Sequence, residues 1–154
     1  MGSTDFDFLH GNWTVHHRRL VERLSGSSDW EEFDGRMECR PLLGGHANID
    51  DNEIDLPGGS YRALTLRFYS GPDDRWTIHW IDGRDPRLDP PMIGRFDKGV
   101  GTFFGNDELH EHPVRVRFIW DQIGPEGARW QQAFAWPGSE AWETNWTMEF
   151  RRPS

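Results

Sequence analysis

Residues that could do chemistry sit in a few short runs of this chain. HGNWTVHHRRL, residues 10–20, sets two histidines and two arginines just after a tryptophan. An imidazole that titrates near neutral pH suits proton transfer. A guanidinium suits a carboxylate ligand or developing negative charge. The run reads as a β-strand, in which successive side chains point to opposite faces. With Trp13 inward, alternation sends Val15, His17 and Arg19 inward, and Thr14, His16, Arg18 and Leu20 outward. An inward arginine needs a carboxylate or an anionic ligand, because burying it alone costs on the order of several kcal/mol.

Candidate partners follow along the chain. GGHANIDD puts Asn48 and Asp50, with His46, on one strand face and Ala47, Ile49 and Asp51 on the other. In ALTLRFYS, Thr65, Arg67 and Tyr69 oppose Leu64, Leu66 and Phe68, and Arg115 and Arg117 alternate with Val114, Val116 and Phe118. For each of these arginines an outer-face charge is the simpler reading. Arg67 and Arg117 are nonetheless carried as candidates for an interior site. RWTIHWID groups Trp76, Ile78 and Trp80, while Trp120, Trp130, Trp142 and Trp146 enlarge the supply of indoles. Most of these belong in a core, but Trp80 and Trp120 are placed as flat walls for an aromatic ligand. Gln132, Glu143 and Asn145 are the late polar groups, and Gln132 and Asn145 join the candidate ligand set.

Other chemistries find less footing. His110-Glu111-His112 stands beside Pro113 and lacks the H-E-x-x-H spacing that would align two imidazoles on a helix. It reads as a hairpin tip, and no metal site is assigned. No G-x-S-x-G elbow occurs. Cys39 is the only cysteine, so no disulfide within the chain is expected and the thiol reads as buried and inert.

What must position these residues is a set of short strands. Aromatic and β-branched runs alternate with SGSSD, DLPGGS, SGPDD, DGRDPRLDPP, GNDELHEHP, GPEGA and PGSE. Seventeen Gly and ten Pro punctuate the chain from end to end, with no helix-length amphipathic interval. The expected fold is all-β: one antiparallel up-and-down barrel of about ten strands over residues 1–154, with one helical turn in DFDFLHG before the first strand. Closing the sheet removes exposed strand edges. Hydrophobic residues make up only 35% of the chain, so nine Trp and ten Phe must supply most of the core. The net charge of −9 argues against nucleic acid or an anionic membrane as partner. MGSTDFDF lacks the pattern of a secretory signal, and no run of about 20 apolar residues occurs. A cytoplasmic monomer or homodimer is expected.

The pattern D-F-D-F-x-x-G-x-W at residues 5–13 is followed by G-G-x-x-N-x-D, W-x-x-x-W, G-x-F-x-x-G-x-G-x-F and W-E-x-N-W before a terminal arginine. Together these resemble a family of uncharacterised bacterial calycin-like, or lipocalin-like, barrels over nearly the whole chain. The resemblance implies a barrel with a ligand cavity, in which Trp13 plugs the closed end and Arg151 packs against it. It implies no established reaction. A related branch, the nitrobindin-like barrels, holds haem through a late histidine. No histidine follows His112 here, so haem is not expected, and no cofactor is assigned.

Three functions are compatible with these residues. The favoured one is binding of a small organic molecule, anionic or carbonyl-bearing and partly aromatic, by His17, Arg19, Asn48, Asp50, Arg67, Trp80, Arg117, Trp120, Gln132 and Asn145. The second is an isomerase, cyclase or lyase in which His17 moves a proton and an arginine stabilises negative charge. The third is a structural or interaction domain whose lumen is filled by indoles. An open or a packed lumen separates the first two from the third.

Overall fold

A computed structural model describes residues 2–154. These form ten antiparallel strands: β1 (Gly11–Leu20), β2 (Trp30–Leu42), β3 (Ala47–Leu56), β4 (Gly59–Ser70), β5 (Arg75–Asp82), β6 (Met92–Asp97), β7 (Val100–Leu109), β8 (His112–Asp121), β9 (Gly127–Ala135) and β10 (Glu143–Arg151). Each strand pairs with its neighbours in sequence, and β1 pairs with β10 to close the barrel. The expected meander barrel is what the chain forms. Short 3-10 turns at Gly2–Thr4 and Asp7–Leu9 precede β1.

Alternation sorts the side chains on β1 from Trp13 to Arg18 as the strand period requires, whereas Leu20, expected outward, is buried. Trp13, Val15 and His17 are buried, whereas Arg18 is exposed. His16 stands on the outer face between Glu32 and Asp34, 2.8 Å from each carboxylate. These two carboxylates, Asp34 first, hold its pKa above the usual histidine value. On β3 the inward row is polar, with Asn48, Asp50 and Asn52 buried ahead of Ile54.

One end of the barrel is stoppered by the segment before β1. Phe6 packs edge-on against Trp76 and Phe96, each 4.9 Å away between ring centres. Leu9 is fully buried, and its carbonyl accepts a 2.8 Å bond from the Trp13 indole. The arginine over Trp13 is Arg152, not Arg151. Its guanidinium lies 3.7 Å from the ring centre and donates to the carbonyls of Asn12 and Phe8. Register explains the correction. Arg151 pairs with outward Thr14 and is exposed, while Phe150 pairs with inward Val15. The next side chain back toward the plug is that of residue 152.

Candidate functional site

Every strand that runs away from the plug ends at the opposite mouth, so position along a strand sets depth in the lumen. On β1, Arg19 lies six residues beyond Trp13, about 20 Å at the usual strand rise. Between them is a cavity of about 300 Å³. Its deep and middle walls are Trp120, Trp130, Trp80 and Trp146, with Phe118 and Met148. Trp146 meets Trp80 and Trp130 edge-on, at 5.8 and 5.4 Å. Indoles crossed in this way hold one another upright and leave flat faces for a planar guest.

One polar cluster is set into this aromatic wall. Asp50 on β3 and Arg67 on β4 face the lumen as an ion pair of 2.6 Å, and both are almost fully buried. Asn48 accepts a 2.8 Å bond from Arg67, and Asn52 donates a 2.6 Å bond to Asp50. The Thr65 backbone N–H also reaches Asp50, at 3.1 Å. The guanidinium of Arg67 lies 5.0 Å over Phe6. A buried charge pair persists where its remaining lone pairs and protons are satisfied. Here the Asn48 and Asn52 side chains and one backbone amide do most of that, although Arg67 Nε has no acceptor.

The candidate residues divide into three groups. Arg19, Asp50, Arg67, Trp80, Trp120 and Gln132 line the cavity. His17, Asn48 and Asn145 are buried in the barrel but stand behind that lining. Arg117 does not reach the lumen at all. Its inward neighbours on β8 are Val116, Phe118 and Trp120, so Arg117 faces out and stacks 4.8 Å over Trp142. Arg115 shares that outer face, 4.7 Å from the same indole.

His17 needs the closest reading, because a catalytic role depended on it. Its Nδ1 accepts a 3.1 Å bond from the Trp146 indole N–H. An indole nitrogen only donates, so the imidazole is neutral and carries its proton on Nε2. The ring stacks on Phe33 at 4.8 Å, and burial lowers its pKa to about 4, with His16 and Arg19 adding to the fall. His17 therefore meets the cavity through Trp146 rather than directly. Trp146 is inward by the alternation it shares with Met148 and Phe150, and just beyond it the register slips between Thr144 and Trp146. A bulge of this kind adds one residue and re-aims the next side chain. Asn145 is buried beside Trp146 as a result, and its Oδ1 accepts from Gln132 at 2.9 Å.

The mouth holds residues that strand reasoning did not single out. Arg23 in the loop between β1 and β2, Tyr61 near the start of β4, and Arg84 after β5 all line the opening. Arg84 is held by Asp82 and stacks 3.7 Å over Tyr61. Burial raises the pKa of the Tyr61 hydroxyl, which lies beside Arg19. Tyr61 shares its face with Thr65 and Arg67, so alternation along β4 contained that signal. Arg23 carries no comparable signal, because a loop has no period.

Two solved structures resemble this barrel along its length. One is a redesigned β-barrel, b11L5F_LGL, at a TM-score of 0.53 and 12% identity, covering 100% of this chain and 98% of that one. The other is EF1p2_mFAP2b bound to DFHBI, at a TM-score of 0.51 and 12% identity, covering 99% of this chain and 100% of that one. Likeness at such identity shows the fold alone. No family model matches the chain, and no curated protein does.

Proposed function

We propose that this chain is a calycin-like barrel, a single domain, that binds a small and partly aromatic organic molecule in its lumen. The observation that carries this reading is the cavity of about 300 Å³, walled by four indoles and edged by Arg19 and Arg67. Ligand sites are typically concave and mostly apolar, with a few placed polar groups, in volumes of roughly 300–1,000 Å³. A packed lumen, as a purely structural barrel would have, is not what these side chains form. A barrel of similar fold is bound to DFHBI, which supports binding of a small molecule by such a barrel. Proton transfer by His17 is not favoured, because the imidazole does not line the cavity and its acceptor nitrogen is engaged by Trp146. The charge of −9 supports a partner that is neither nucleic acid nor an anionic membrane surface.

The test is titration with a neutral two-ring probe, 2-naphthylacetamide, followed by tryptophan fluorescence. Saturable quenching is expected, and the variant Val116→Trp, which fills the lumen, should remove it while the thermal transition persists. Quenching that never saturates, or that survives Val116→Trp, would rule out the lumen as the site.

A further inference from the structure

The deep polar cluster and the arginines at the mouth differ in one respect that bears on the guest. Asp50 and Arg67 neutralise each other, and Asn48 and Asn52 close the cluster around them. No net charge is left there for a ligand to meet. At the mouth the balance is different. Arg19 is mostly buried, and its nearest carboxylate, Glu31, stands 3.7 Å away, beyond hydrogen-bond reach. Arg23 makes no ion pair or hydrogen bond among the described residues, and its Nε, like that of Arg19, is buried without an acceptor. The two guanidiniums are close enough to repel. Burial, and then the charge of Arg19, lower the pKa of Arg23. Two like charges drawn together in a half-buried opening are unfavourable unless an anion joins them.

We propose that Arg19 and Arg23 form a carboxylate subsite at the mouth, so that the guest is an aromatic monocarboxylate that enters ring first. This rests on the lumen being the binding place. The ring lies between Trp80, Trp130 and Trp146, below the two arginines, and the Tyr61 hydroxyl offers one more donor beside Arg19. A single negative charge fits better than two. Glu31 and Asp107 already stand near the two arginines, and Asp107 and Glu108 on the rim repel a more highly charged head group. Asp107 makes no ion pair among the described residues, and burial raises its pKa. An inverted guest would carry its charge into a wall of indoles with no free cation.

The measurement compares 2-naphthylacetate with 2-naphthylacetamide, which share shape and differ in charge. Charge-assisted bonds to guanidinium should make the carboxylate at least about tenfold tighter at low salt. Arg23→Gln should shrink that preference to within about threefold, as loss of one such bond predicts. Arg36→Gln, on the outer face, should leave it intact. Rising salt should narrow the gap in the native chain, because part of the attraction is screened. Equal affinity for both probes would overturn the carboxylate subsite while leaving the lumen reading in place. So would a preference that Arg23→Gln does not change. Failure of both probes to bind would overturn the two readings together.

Discussion

At the scale of single residues, two buried groups set how this barrel responds to pH and substitution. His17 takes up its proton near pH 6.5 when unfolded and near 4 when folded. Between those values the unfolded chain binds more protons, so stability rises with pH across the window and is lost as pH falls from 6.5 towards 4. The slope from this group approaches about 1.4 kcal/mol per pH unit. His17→Gln keeps an acceptor for Trp146 and should flatten that part of the profile in urea unfolding followed between pH 4 and 6.5. An identical pH slope in the variant would show that the imidazole is not the group responsible. The Asp50–Arg67 pair makes a separate case. Asp50→Leu strands a buried cation and should cost about 3–5 kcal/mol, whereas Asp50→Leu with Arg67→Met should recover most of it. Denaturant midpoints of the single and double variants check this directly, and a double variant as weak as the single one would refute it.

At the scale of elements, alternation gave most of what could be read and turns hid the remainder. The inward row of β1 followed from Trp13, because nothing interrupts that strand. On β8, Arg117 and Trp120 have opposite parity, so they could not both face the lumen, and the larger apolar residue decides. The slip on β10 has no Gly or Pro to announce it, so the burial of Asn145, against the alternation of Trp146, Met148 and Phe150, could not be read. Arg23 was illegible for want of a period. Its loop is nonetheless shaped: Leu24 turns at a positive φ of 55°, and its N–H donates to Glu143 at 2.6 Å. The end of β10 supplies an element-scale prediction. Arg152→Ala removes a guanidinium that covers Trp13 and donates to two carbonyls, so it should cost about 1–3 kcal/mol. Arg151→Ala should stay within about 0.5 kcal/mol, as ordinary surface changes do. Thermal melts of the pair distinguish them, and the reverse order would restore Arg151 as the plug partner.

At the scale of the whole molecule, the arrangement is two ends with different work. The plugged end is apolar and crowded, where Phe6, Leu9, Trp13 and Trp76 are essentially free of solvent. The open end is polar, and charged side chains of both signs ring it. This division makes the lumen a one-sided vessel, and it follows from small decisions: an N-terminal turn that tucks Phe6 inward and a loop that places Arg23 over the rim. No helix is long and apolar enough to cross a membrane among the described residues.

The seam between β1 and β10 has a kinetic meaning. Every other strand pairing joins elements adjacent along the chain, so the meander can zip up hairpin by hairpin at small loop-closure cost. The seam alone waits for the two extremes of the polypeptide to meet. The bond from Trp146 to His17 spans 129 residues, and the cover of Arg152 over Trp13 also bridges this joint. Until it closes, the chain is an open, curled ribbon in which Trp146 is parted from His17 and Arg152 from Trp13. Competence to hold a guest arrives in one late event, when the ribbon becomes a ring.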